Sequence, residues 1–397
     1  MFGYTSMNLK RNVCQVLAKR KMLRWVILSA LLSGNSPVAA IEAPNPEFNR
    51  RATATAQLLA GITPNPPEPA FNHLLELDAW KEHQKWMTSQ WAEVRGRIKT
   101  VEGWRDHELK IASPQKKTLL YPFSGPDFFN AYAFFPDHSR YVFFSLERPG
   151  ALPDLESVTT QQFGKLLTDV RGAFRDIFER NYFITSYMNK QLTTPWVRGT
   201  VPVMATMMAL MNRRIVRIEP IDLFPELTKA YDTPDGKRPR LLLRGVRIEF
   251  SNPTTPGVQQ LYYYSLDATD KALEFYPEFL NWVGQNRPAS ALLKSASYLL
   301  HDGQFSKTRA MVLDSADVLI QDDTGIPYRF ISQSPWQVKL YGKYHKPIKP
   351  MAYGYQKDLD AAFKAKVENN ELPFPFGYHW RGSQGGLILA NRERNSN

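Results

Sequence analysis

Residues 121–147 read YPFSGPDFFNAYAFFPDHSRYVFFSLE, which places a serine beside glycine, an aspartate three residues on and a histidine soon after. Ser124 could act as a nucleophile only with a base to take its proton and an acid to orient that base. His138 is close in sequence and His301 could arrive through the fold. The acid would come from Asp127, Asp302, Asp322 or Asp323. That constellation would perform serine-type hydrolysis. The GxSxG pattern of a nucleophile elbow is absent, however, and Ser-Gly-Pro-Asp is ordinary turn chemistry: glycine permits unusual φ, proline restricts it, and aspartate caps the next few residues. The stretch is therefore expected to be a turn beside a buried strand, with Ser124 hydrolysis as the rival.

Asp322 and Asp323 stand where an apolar run gives way to Asp-Asp-Thr-Gly, a place where paired carboxylates can bind a hard cation or share acid–base work. No EF-hand spacing surrounds them, and a solvated turn is the simpler expectation. Met204, Met207, Met208 and Met211 recur at helical spacing and could offer thioethers to Cu(I). Methionine at that spacing is also a routine core filler, and the stripe is read as packing. The seven histidines show no metal-ligand spacing, and neither a phosphate loop nor a dinucleotide fingerprint occurs. No cofactor or metal is expected. Nine tryptophans, 18 tyrosines and 23 phenylalanines could line a cleft for sugar or lipid, although a chain without disulfides needs them first inside.

The elements that would position these groups are legible from periodicity. From Phe71 the pattern turns helical, with Leu74, Leu75, Leu77, Trp80, Trp86, Met87 and Trp91 mainly on one face and a bend expected at Gly103-Trp104. Tyr141–Leu146 reads as a buried strand. Thr159 or Thr160 would cap an amphipathic helix carrying Phe163, Leu166, Leu167, Val170, Phe174, Ile177 and Phe178. Residues 241–250 and 258–266 form a strand pair joined by SNPTTPG. Residues 271–283, 289–301, 307–316 and 357–367 look helical, while 318–321 and 336–341 look like strands. Strands and helices mix without strict alternation, which predicts an α+β fold with a mostly antiparallel sheet packed with helices and a helical N-terminal portion.

The opening of the chain reads as a secretory signal. Lys10, Arg11, Lys19, Arg20, Lys21 and Arg24 precede the apolar run Trp25–Leu32, and Val38, Ala39 and Ala40 supply the small residues for cleavage after Ala40. The expected division is a signal peptide over 1–40, a proline-rich extended leader over 41–70 interrupted by the helix-like ATATAQLLAG, and one globular domain over 71–397. Six of the 50 basic residues lie in the first forty, which hold no acidic residue, leaving 44 against 38 and a net charge of +6. Those charges are interspersed rather than gathered on a basic face, so a nucleic-acid partner is not expected. The single cysteine, Cys14, falls inside the signal, so the remainder has neither disulfide nor cysteine nucleophile. No segment after the signal reaches membrane-spanning length.

Several separated motifs, in order, carry a resemblance. YPFSGPDFFNAYAFFPD, GVRIEF with QLYYYSLD, SYLLH, LIQDDTGIPYRF and W-x-V-x-LYG-x-Y-x-x-PI together resemble a family of uncharacterised exported bacterial proteins, over most of residues 71–380. The resemblance implies one structural unit and no particular activity. The expectation is an exported, periplasmic or secreted protein that binds a small molecule, glycan or envelope component, or serves the envelope as an accessory.

Overall fold

The computed structural model describes residues 46–109, 117–222, 244–253, 255–285, 288–347, 349–365, 370–378 and 385–393. The expected signal segment with Cys14, and residues 241–243 of the expected strand pair, lie outside them. The helices are α1 (Pro46–Leu59), α2 (Asp78–Glu108), α3 (Phe128–Phe134), α4 (Thr160–Arg180), α5 (Thr185–Gln191), α6 (Val201–Leu210), α7 (Pro277–Gln285), α8 (Ser306–Ser315) and α9 (Lys357–Ala365). The strands are β1 (Thr118–Pro122), β2 (Arg140–Ser145), β3 (Arg214–Asp222), β4 (Arg244–Asn252), β5 (Thr255–Ser265), β6 (Pro288–Leu293), β7 (Val318–Gln321), β8 (Trp336–Gly342) and β9 (Gly386–Arg392).

All nine strands share one sheet, in the order β3-β4-β5-β2-β1-β6-β7-β9-β8. The five central strands β5, β2, β1, β6 and β7 are mutually parallel, and the pairs toward both edges are antiparallel. The mostly antiparallel expectation is thus corrected to a mixed sheet. Parallel strands are buried on both faces and read as short apolar runs without alternation, which leaves periodicity little to grip. The run ALL in β6 shows this: residues 289–301, expected as a helix, form nearly all of a central strand and then a tight turn. A run that short suits helix or strand equally, and burial from both sides decides it.

Successive residues along the central strands point to opposite faces. Leu119, Tyr121, Phe143, Tyr263, Leu292 and Ile320 pack with α1, α2, α3, α4 and α6. Leu120, Phe144, Tyr264, Leu293 and Leu319 pack with α7, α8 and α9. The sheet is therefore the middle of three layers. The crossover α3 between β1 and β2 lies on the first face, and the crossover α8 between β6 and β7 lies on the second. The winding reverses between the neighbours β1 and β6, so their carboxyl ends form a topological switch point.

Local chemistry explains the elements. The helix expected after Thr159 forms with a full capping box, Thr159 accepting from the Gln162 backbone and Gln162 from the Thr159 backbone. Met204, Met207 and Met208 are completely buried in α6, as packing requires. The expected bend at Gly103-Trp104 is absent: α2 runs through it, because Trp104 is held edge-on by Phe134, Tyr341 and Phe374. Residues 46–59 form α1: the helix-like ATATAQLLAG of the expected leader is helical through Leu59, and the helix starts earlier than expected, at Pro46. Ala52, Ala54, Ala56, Leu58 and Leu59 of this helix are buried, and Thr53 Oγ1 exchanges hydrogen bonds with the backbone of Ile215 on the edge strand β3. That contact covers part of an otherwise open sheet edge. The single expected helix over 271–283 is divided into a turn at Asp270–Leu273 and α7, which begins at Pro277, because proline cannot continue a helix but fits its first turn. Among the described residues no helix is long and apolar enough to cross a membrane.

After β2 the chain crosses the segment before α6 at van der Waals closeness. The backbone N–H of Thr200 donates to Arg148 O at 3.0 Å and that of Val201 to Pro149 O at 2.8 Å. Gly150 sits there at φ +68°, where a Cβ would collide with the Arg198 carbonyl. Left-handed backbone and absent side chain are both required. Gly150→Ala is expected to lower stability by about 3 kcal/mol, read as a fall in urea midpoint at unchanged slope. An unchanged midpoint would show that the crossing gives way.

Candidate functional site

The carboxyl ends of β1, β6 and β7 gather a polar cluster at the switch point. Asp127 follows β1 and caps α3, its carboxylate accepting from the Asn130 backbone at 3.2 Å. It also accepts from Asn130 Nδ2 at 2.9 and 3.0 Å, from Tyr121 OH at 2.9 Å and from Lys294 Nζ at 3.3 Å. Lys294 is the first residue after β6, its side chain 1 % exposed, and it also donates to the Asn181 carbonyl at the end of α4. Burial lowers the Lys294 pKa, while the Asp127 carboxylate opposes that shift. A buried ion pair is sustained only when its remaining polar atoms find partners, and here four donors surround one carboxylate.

Asp322 and Asp323 follow β7. Asp322 is fully buried and is spent on architecture: Oδ2 accepts from Ser295 N at 3.0 Å, and Oδ1 accepts from Thr324 N at 3.0 Å and Thr324 Oγ1 at 2.5 Å. Thr324 Oγ1 in turn accepts from Ala296 N at 2.7 Å, so the loops after β6 and β7 are clamped together. Gly377, at φ +79°, lets a third chain segment lie against this carboxylate where a Cβ would collide with it. The expected solvated turn is thus a buried one, with its polar groups turned inward.

Asp323 is half-buried, and its Oδ2 accepts from Tyr298 OH at 2.5 Å. Burial and the neighbouring Asp322 carboxylate raise its pKa to about 7. Lys294 is engaged by Asp127 and also stands near Asp322, so the Asp323 carboxyl meets the Asp322 charge and protonation relieves that repulsion. Burial and the two carboxylates push the Tyr298 phenol up strongly. Tyr378 OH donates to Ser295 O at 2.7 Å, lies 2.6 Å from Ser297 Oγ, and has its pKa raised to about 12, chiefly by burial. Its ring meets Tyr182 edge-on at 4.8 Å, while Tyr353, 72 % exposed, meets Tyr298 at 6.1 Å.

Backbone strain concentrates here. Six described non-glycine residues have left-handed backbones; four of them, Asn181, Ser295, Ser297 and Tyr298, belong to this cluster, and Phe123 lies in the turn that leads to Asp127. Such conformations cost about 1–3 kcal/mol each and persist where surrounding contacts over-determine them.

The groups expected for Ser124 hydrolysis are not assembled. Ser124 Oγ donates to its own neighbour, Gly125 O, at 3.0 Å, so the turn expected from YPFSGPDF is what forms. His138 lies before β2, at the amino end of the parallel strands and so at the far end from Ser124. It bonds Ser290 Oγ at 3.0 Å, and burial lowers its pKa to about 3. His301 lies nearer, edge-on to Tyr298 at 5.1 Å, with its pKa lowered to about 4 by burial and by the charge of Arg329. Asp302 is exposed and caps a short turn by accepting from Gln304 N at 2.9 Å. Asp127, Asp322 and Asp323 are brought together; Lys294, Tyr298, Tyr378, Asn130 and Asn181 join them unforeseen. The one available signal was Lys294, a lone charge ending the run SALL.

Comparison of the chain with protein-family models, with curated protein sequences and with solved structures gave no match. The chemistry of the site therefore rests on its own geometry.

Lys294→Met should destabilise the fold by about 3–5 kcal/mol, because it strands a buried carboxylate. Adding Asp127→Asn should recover part of that loss. Denaturation of the three variants checks this, and strictly additive losses would show that the two groups are not coupled.

Proposed function

We propose that this is an exported, periplasmic ligand-binding protein of the cell envelope, and that its ligand is a small glycan bound at the switch point. The observation that carries the reading is the convergence of Asp323, Tyr298, Ser297 and Tyr378 at the carboxyl ends of parallel strands, where open α/β sheets place their ligands. The cluster offers a carboxyl, serine and tyrosine hydroxyls and an exposed tyrosine ring. Those are a few fixed polar groups among amphipathic aromatics, as a polyhydroxylated ligand requires. Export rests on the basic, apolar and small-residue plan of residues 1–40. Hydrolysis by Ser124 lacks support, since its hydroxyl bonds its own turn.

Asp323 makes the reading pH-dependent. Above about 7 its carboxyl is ionised and accepts only, so ligand hydroxyls that donate to it should bind more tightly as pH rises through 7. Its raised pKa also makes native stability fall with rising pH, between the ordinary value of 3.8 and about 7, because the unfolded chain ionises first. The buried histidines act oppositely: His83 and His301, lowered to about 4, bind protons more readily when unfolded, so acid weakens the fold between 6.5 and 4. Asp323→Asn isolates the carboxyl. Its stability relative to the parent should be flat in acid and should rise in the variant's favour up to about pH 7. Calorimetric titration with glucose, maltose, N-acetylglucosamine and chitobiose at pH 6 and 8 should find at least one sugar that binds more tightly at pH 8 and loses that dependence in Asp323→Asn. No binding at millimolar sugar, or a variant that binds like the parent, would overturn the reading.

A further inference from the structure

A concavity lies at the same end of the sheet, beyond β2, and shares no residue with the switch-point cluster. It is a groove of about 1660 Å³ between α1, the loops 146–156 and 192–199, and the strand ends of β3 and β4. Pockets for compact ligands measure about 300–1,000 Å³, so this one suits something longer. Its apolar lining includes Phe71, Leu152, Leu155, Ile218, Ile221 and Val246. Leu146 and Phe48 stand on it 66 % and 44 % exposed.

The charges around the groove are divided. Arg51 is engaged by Glu47 and Glu156, each at 2.9 Å, and Glu147 is buried. Arg198 uses Nε on the Pro195 carbonyl at 3.1 Å. Arg148 and Arg244 are exposed and form no ion pair with a described carboxylate. Asp154 is the remaining acid. An apolar trough edged by arginines that no described carboxylate engages fits an extended apolar body ending in an anion, because guanidinium pairs bidentately with phosphate or carboxylate.

We propose that this groove binds a single-chain amphipathic anion, an alkyl chain bearing a phosphate or carboxylate head, with the chain along Leu152, Leu155 and Ile218 and the head at Arg148 and Arg244. The crossing of Gly150 over the Arg198 carbonyl builds one wall, which ties the glycine to the groove's shape. The site is independent of the switch-point reading.

The test uses the chain from Ile41 onward and calorimetry with dodecyl phosphate below its micellar concentration. One dodecyl phosphate should bind per chain, dodecyl maltoside should bind at least about tenfold more weakly, and inorganic phosphate should not bind. The double substitution Arg148→Glu with Arg244→Glu alters only exposed side chains. It should weaken dodecyl phosphate about tenfold or more while leaving the melting temperature in place, whereas Asp323→Asn should leave that affinity unchanged. Equal binding of both amphiphiles, or an unaffected double variant, would overturn the proposal. So would association only with anionic vesicles and none with the monomeric amphiphile, since that would make the arginines a membrane-facing surface rather than a ligand site.

Discussion

The ammonium of Lys294 is buried away from bulk solvent, and much of the molecule is arranged around that fact. One partner is Asp127, which arrives from β1 and α3; another is the carbonyl of Asn181, which ends α4 in a left-handed conformation. A cation at a helix carboxyl end is favourable by itself, and it satisfies a carbonyl that the helix cannot. Asn181 also accepts from Asn130 Nδ2 and donates to Pro375 O, so four chain segments meet at one buried charge. Such a pair contributes little net stability over an apolar substitute but penalises any packing that separates its members. It ties β6 to β1 across the point where the winding reverses.

The layers on either side make that burial tolerable. Tyr121, Phe143, Phe128 and Phe129 shield the cluster from one face, with Phe129 stacked on Trp91 at 5.2 Å and Tyr121 edge-on to Phe143 at 5.3 Å. Low polarity around a charge strengthens its bonds and raises the cost of leaving it unpaired. The same environment explains the histidines. His83 bonds through Nε2 to Leu59 O, 2.8 Å away, and it and His138 sit deep in the packing as neutral rings. They belong to the core, whereas Asp323 sits at the boundary where a carboxyl can exchange its proton with solvent.

The switch-point cluster and the groove both lie at the carboxyl end of the parallel strands, but they differ in chemistry. At the switch point short loops turn carboxyl and hydroxyl groups inward, held by left-handed residues and by Asp322. Beyond β2 the chain makes longer excursions, to residue 156 and through 192–199, leaving an apolar trough with arginines beside it. One end of one sheet thus presents a polar cluster and an apolar groove edged by arginines.

Patterns with a local cause were legible in the sequence. The capped helix at Thr160, the strands at 141–146, 318–321 and 336–341, the methionine stripe of α6 and the turn at Ser124–Asp127 each arise from side chains acting on their own backbone or on one face of one element. Parallel pairing was not legible, because β1 and β6 are short apolar runs without alternation and they pair with each other from far apart in the chain, Leu119 beside Ser290. Nor was the composition of the site. Asp127, Asp322 and Asp323 were visible as acids in turns, but only the sheet order brings them to Lys294, Tyr298 and Tyr378. Local propensity is written in neighbouring residues; the burial that turns an ordinary lysine and three aspartates into a site depends on which strands lie side by side, and that is decided by packing both faces of the sheet at once.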